Sequence, residues 1–349
     1  MRIILKILIF MLIIVPACTT MTSTPNINLT MYEQRAEDNQ MASVMPPRYI
    51  IEKKIPRIAI LNIADHSRLT DMTKCSLGPM ATDVLHNVVA KMGRYEVVER
   101  AQAKKIAAEL GYQESHGVDW EVIEGKYFAL GKDIDYVIVG SINRVTPKID
   151  KDIELKTCTE EVETSVSLRI IDLSSGRTVT SFNVADKAAN VKSITQSCII
   201  TCGLVQEALE NTLARWVPVK IQEAIPIYGY ISKIMSNYSN EKLTKIAYIN
   251  LGTNDGLKPG DKVIIMELRR ERDPISGKEK LRYIDLGKAT VTETGLHPDE
   301  AIIVIDDPIL AKKVKVGFLV QTTAERARRL AEQERTKEQL KVIFQKFIK

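Results

Sequence analysis

The change of hydrophobic pattern near Pro218 and Pro226 constrains this chain most. Before it, apolar β-branched runs alternate with helical stretches. Residues 57–63 read as a buried strand, and 95–98 and 135–142 as two more. Between the first two, Met80, Val84, Leu85, Val88 and Val89 recur at helical spacing, with Ser76 or Asp83 placed to start the helix and Gly93 to stop it. Helices over 101–110 and 119–130 close at Gly111 and Gly131. Such alternation predicts an α/β sheet. Two longer strands, 164–172 and 178–184, then flank the turn Ser174-Ser175-Gly176 as a hairpin, and a helix from about 193 to 220 completes the unit. After the prolines, strands at 228–234, 245–250, 262–268, 284–293 and 301–306 are separated by turn signals, the pattern of a small β-barrel or sandwich. The expected architecture is mixed α+β and α/β: a three-layer domain over 55–222, a β domain over 223–322 and a helix over 323–349.

The amino terminus constrains location. Arg2 and Lys6 precede the apolar run 7–15, which ends at Val15-Pro16-Ala17-Cys18. A basic start, a short apolar stretch and a small residue before the cut define a secretory signal. The run is shorter than the roughly 20 residues needed to span a bilayer. Its end resembles the lipobox of bacterial lipoproteins, which implies removal of residues 1–17, acylation of Cys18 with palmitate-type chains, and anchoring in a membrane. Thr19, where an aspartate would imply retention at the inner membrane, implies the periplasmic face of the outer membrane. Residues 18–54 are polar and lack sustained periodicity, and Pro46-Pro47 stiffen their end. They read as a mobile tether, or as a segment that wraps a neighbour.

Several runs resemble one family. Gly93-Arg94-Tyr95-Glu96-Val97-Val98-Glu99-Arg100, then Ala129-Leu130-Gly131-Lys132 followed by Asp135-Tyr136-Val137-Ile138-Val139-Gly140-Ser141-Ile142, the opening strand with Asn62 and Asp65, and the turn Leu173-Ser174-Ser175-Gly176 match, in order, elements of the CsgG family of outer-membrane assembly and secretion lipoproteins. The amino-terminal domain of TolB has related architecture. Gly252–Asp261 and the tip 273–279 resemble the carboxy-terminal domain of FlgT-like proteins. The resemblance implies an accessory for assembling or exporting a surface structure, curli-like in kind, with protein partners in an envelope machine and self-association. A FlgT-like flagellar assembly factor or a regulator of an envelope synthase are the alternatives, and an envelope enzyme is the alternative of a different class. In the curli channel, long amphipathic hairpins form a transmembrane barrel. Here the corresponding segment, 149–167, carries Asp150, Lys151, Asp152, Glu154, Lys156, Glu160, Glu161 and Glu163, a poor surface for lipid, and 185–196 is too short for a spanning pair. The chain is therefore expected to lack its own pore.

The residues expected to carry chemistry are few. Cys75, Cys158, Cys198 and Cys202 in an oxidising compartment are candidates for two disulfides, and four cysteines allow three connectivities. Cys198 and Cys202 lie one helical turn apart, which favours a bridge from each to Cys75 and Cys158. Gly140 and Gly131 fit close packing or special backbone geometry, and Glu99-Arg100 a local ion pair. Asp255 and Asp261 lack the register of a calcium loop and read as turn residues. His66, His86, His116 and His297 are scattered, and no nucleophile elbow or metalloprotease motif is present. The formal charge of +5 falls to +3 without Arg2 and Lys6, too weak a balance to argue for nucleic acid. Neither a cofactor nor a metal is expected, and the chain is not expected to be an enzyme. The tail, 323–349, has eight Lys or Arg against four Glu and an apolar stripe at Leu340, Ile343, Phe344, Phe347 and Ile348. It is expected either to bind a partner or membrane surface, or to dock that end on the body.

Overall fold

The computed structural model describes residues 24–52, 55–67, 75–98, 134–239 and 242–348. The expected leader, Cys18, the helices over 101–110 and 119–130, Glu99-Arg100, Gly131 and His116 lie outside the described residues. In chain order the elements are α1 (Arg48–Ile51), β1 (Arg57–Ile60), β2 (Ala64–Asp65), α2 (Leu77–Lys91), β3 (Glu96–Val97), β4 (Tyr136–Asp152), β5 (Thr157–Asp172), β6 (Arg177–Ser193) and α3 (Cys202–Ala224). Then follow β7 (Tyr228–Ser239), β8 (Lys242–Ile249), β9 (Lys262–Arg272), β10 (Glu279–Val291), β11 (Ala301–Ile305), α4 (Pro308–Lys313), β12 (Leu319–Thr322) and α5 (Glu325–Ile348).

β1 lies parallel between β3 and β4, and β4, β5 and β6 continue as an antiparallel meander. Ile58, Ala59 and Ile60 are buried on β1, as its continuous apolar run requires. α2 begins directly after Ser76, buries Leu77, Ala81, Leu85 and Val89 at helical spacing, and ends before Gly93 at φ +64°. Gly140 is needed for close packing: a Cβ there would stand 2.3 Å from the Ser167 carbonyl oxygen.

The meander is longer than the sequence pattern suggested. β4 runs on to Asp152 and β6 to Ser193, so the helix expected from about 193 starts only at Cys202, where Thr201 accepts a hydrogen bond from the Leu204 amide. The physical reason is burial on one face only. Val145, Val162, Val166, Leu168, Val184 and Ala188 face a core that includes Leu204, Val205, Ala208, Leu209 and Leu213 of α3. The Thr164 hydroxyl meets that of Thr212 at 2.7 Å. The charges that make 149–167 unfit for lipid sit on the solvent side or are paired, as at Glu160, which accepts hydrogen bonds from Lys192 and the Ile199 amide. Pro218 does not mark the boundary expected there. It lies inside α3, because Val217, Val219 and Ile221 on either side are buried and hold the helix through the missing amide.

The second unit is a closed six-stranded barrel in the order β10-β11-β8-β7-β12-β9. Closure requires bending, and Gly287, at φ +146°, stands at a register shift between β9 and β10. Buried apolar residues of the sheet, α3 and the barrel form one continuous cluster, running from Ile58 through Leu213 and Ile225 to Val320. The two units are therefore welded rather than hinged on a linker.

Two further segments depart from expectation. The tether expected over 18–54 is, from Thr24 to Glu52, a strap laid on the barrel. Ile27, Leu29 and Tyr32 pack on Ile246, Ile302 and Val304, and Ile50 on Met266, Leu268 and Leu319. Glu33 exchanges backbone hydrogen bonds with Ser236, and the Ala42 amide donates to the Val316 carbonyl. Sparse apolar residues without a period suit an irregular segment that borrows its partners from a barrel wall. α5 also docks, through Ala324, Ala327 and Ala331 on Trp216 and Val219 of α3, and farther along Glu338 and Lys341 stand 4.0 Å from Arg215 and Glu207 of the same helix, respectively. Small side chains at the alanines allow that close approach, while Ile343 and Phe344 near the other end stay 39% and 41% exposed.

Candidate functional site

The junction between the two units is built by the residues that carried the family resemblance. The turn that leads from α2 into β3 delivers Arg94 and Tyr95 to the barrel. The Tyr95 hydroxyl donates to the Ile225 carbonyl at 2.7 Å, and burial pushes its pKa well up. Arg94, 5% exposed, donates to the Gly256 carbonyl at 3.5 Å and stands 3.9 Å from Asp261. Burial pulls the Arg94 pKa down, opposed by the charges of Asp261 and Asp255 among others. Gly256 takes φ +71°, and a Cβ on it would meet Arg94 Cγ at 2.4 Å, so glycine is required on both counts.

The aspartates considered for calcium have other employment. Asp255 accepts from the Gly252 amide at 2.7 Å and Asp261 from the Lys258 amide at 3.0 Å, each closing its turn. Asp261 also faces Arg326 of α5, 3.7 Å away. Its Oδ1 has no hydrogen-bond partner, and burial raises its pKa against the pull of Arg326, the Lys258 amide and Arg94. The result is a charge cluster of two arginines and one aspartate joining three elements distant in sequence. It borders a cleft of about 400 Å³ between α2, α3, α5 and the 256–261 turn, lined among others by Lys91, Arg94, Lys258, Arg326 and Glu334. A second cleft, of about 630 Å³, lies between the meander and α5. On its wall Asp186 accepts from Arg215 at 2.6 Å and from the Trp216 indole at 3.0 Å.

The four body cysteines pair as Cys75–Cys202 and Cys158–Cys198, with Cα separations of 5.9 and 6.5 Å, inside the range that a bridge permits. Both bonds tie down the chain around the start of α3, one to the segment before α2 and the other to β5. Among the described residues, no cluster of three or more His, Cys, Asp or Glu is arranged to hold a metal. His66 follows β2, His86 lies on α2, and His297 lies in the connection between β10 and β11. Sequence reasoning missed the strap's ion pair. Asp38, fully buried, accepts from Lys245 at 2.8 Å and Ser236 at 2.7 Å. Burial alone would raise the Asp38 pKa, but the hydrogen bonds from Lys245, Ser236 and the Arg35 amide hold it below the usual carboxylate value. No local signal marks such a pair, since its members are 207 positions apart (245 − 38).

No family model matches the chain, and no curated protein matches it. Among solved structures it is similar to the PelC dodecamer of Paraburkholderia phytofirmans, at 15% identity over 45% of this chain and 85% of that one, with a TM-score of 0.24. It is similar to the LpoB C-terminal domain of Salmonella enterica, at 15% identity over 38% and 83%, with a TM-score of 0.26. Lipoprotein GNA1162 of Neisseria meningitidis is 14% identical over 46% and 98%, also at a TM-score of 0.26. Each likeness covers under half of this chain, and at these scores none bears on function.

Proposed function

We propose that this chain is a bacterial envelope lipoprotein, anchored by acylated Cys18 at the periplasmic face of the outer membrane, that works by binding rather than by catalysis. The reading is carried by cysteine usage. Of five cysteines, four are joined in disulfides within the body, which suits an oxidising compartment, and the fifth directly follows a leader of secretory type. Three buried charged groups with displaced pKa values, Arg94, Asp261 and Asp38, are spent on internal contacts that weld elements together, the arrangement of a scaffold. On the CsgG resemblance, the protein serves as an accessory in assembling or exporting a surface structure, in company with protein partners and further copies of itself. Among the described residues, the outer edge of β6 and the part of β4 beyond Asn143, which pairs there only with β5, offer strand edges for such contacts.

Density-gradient fractionation of the native envelope tests the location: the protein bands with outer-membrane markers, and Cys18→Ala removes it from them. Recovery of the wild-type chain in the cytosol contradicts the reading. Light scattering on the detergent-solubilised lipidated protein tests self-association, and a monomer at every concentration removes that part of it.

A further inference from the structure

The strap fixes where the lipid anchor leaves the body. Thr24 lies against Gly260, its methyl 3.3 Å from where a Cβ on that glycine would stand. Thr24 follows Cys18 by only six positions. Fully extended, six residues reach about 20 Å. With the strap bonded along the barrel from Ile27 to Ile50, no further slack is available upstream of residue 52. An acylated Cys18 therefore holds the Gly260 turn close to the lipid headgroups.

The surface beside that turn has the chemistry such a position calls for. Lys91 and Lys258 are exposed at the rim of the junction cleft and Arg326 lines it, while Arg94 at its base is already engaged by Gly256 and Asp261. Asp261 and Glu334 are its carboxylates, so the cleft keeps a cationic excess after Arg215 is spent on Asp186. Leu330, 48% exposed, stands on the same wall. Cations beside an exposed apolar side chain suit a surface of anionic headgroups over acyl chains. We propose that this junction face, centred on Lys258 and the first turns of α5, lies flat on the anionic leaflet into which Cys18 is inserted. The inference rests on the lipoprotein reading. It directs the β9–β10 hairpin the other way, since β9 runs from Lys262 beside the junction to Arg272, a path of about 33 Å. Its tip, where Ile275 is 96% exposed, then faces the periplasm and the partners there.

The test is hydrogen–deuterium exchange on the full mature lipidated protein, in detergent and in vesicles. One set of vesicles holds phosphatidylethanolamine with phosphatidylglycerol and the other phosphatidylcholine alone. The expected result is slowed exchange at 256–261 and 325–334 in the anionic vesicles, weaker slowing in the zwitterionic ones, and none at 272–279. Lys91→Glu with Lys258→Glu, both on exposed side chains, lowers that protection about tenfold or more while leaving the barrel amides unchanged. Protection centred on the hairpin tip, protection equal in the two vesicle types, or none at the junction overturns the proposal. Intact mass measured before reconstitution separates the two levels. A chain without the diacylglyceryl mass removes the lipoprotein reading and this orientation together, whereas a lipidated chain protected elsewhere removes the orientation alone.

Discussion

Lys245→Met tests whether the strap belongs to the fold. Asp38 is fully buried and Lys245 is 5% exposed, so the ion pair is screened little by solvent. Removing the ammonium leaves the Asp38 carboxylate with only Ser236 and the Arg35 amide as donors. Breaking one partner of a buried pair typically costs about 3–5 kcal/mol, because the remaining charge stays desolvated. Asp38 can escape that cost by leaving the barrel, so the penalty falls on strap closure before it falls on global stability. At about 1.4 kcal/mol per factor of ten, the opening equilibrium rises on the order of a hundredfold to a few thousandfold. The amides of Glu33 and Ala42, which donate to Ser236 and Val316, report it directly by native-state hydrogen exchange. Asp38→Asn in the Lys245→Met background restores at least half of the lost protection, since the buried charge is gone. Unchanged exchange in the single variant, or no recovery in the double variant, refutes the reasoning.

Other perturbations bear on the junction, the bridges and pH. Tyr95→Phe strands the buried Ile225 carbonyl and lowers stability by about 1–3 kcal/mol in urea unfolding. Gly256→Ala, which meets both a left-handed backbone and Arg94, costs about 1–2 kcal/mol or more from the backbone alone, and exposes Arg94 to exchange and proteolysis. Cys158→Ser with Cys198→Ser opens a bridge across 40 residues and lowers the unfolding free energy by up to about 4 kcal/mol, checked by denaturant titration against the oxidised wild type. Asp38, held below its ordinary pKa, stabilises the strap fully above the unfolded value of about 3.9 and loses that contribution as pH falls through its lower folded value, so Glu33 exchange, corrected for intrinsic rates, accelerates under acid.

Local patterns carried much of this structure. The helix after Ser76, its stop at Gly93, the turn at Ser174–Gly176 and the β-rich second half are all legible, because each depends on periodicity and on residues within a few positions. The extent of β4 and β6 is less so. Their outer halves are polar on one side, and the apolar side makes sense only once α3 is known to cover it. Pro218 misleads for the same reason, since tertiary burial of its neighbours overrides a strong local breaker. The strap reads as a loose tether because its partners lie on a barrel wall some two hundred positions away. At the junction, Arg94 and Tyr95 are visible as part of a family-like run, but their work, reaching Gly256, Asp261 and Ile225, belongs to contacts across 130 or more residues.

The account turns on the chemistry of one residue. Cells fed labelled palmitate, followed by intact and peptide mass measurement of the purified chain, give the most direct reading. The account predicts label in the wild-type protein, a mature chain beginning at Cys18 with diacylglyceryl on its sulfur, and no label in Cys18→Ala. A chain that retains Met1, carries no label and is recovered from the cytosol contradicts it.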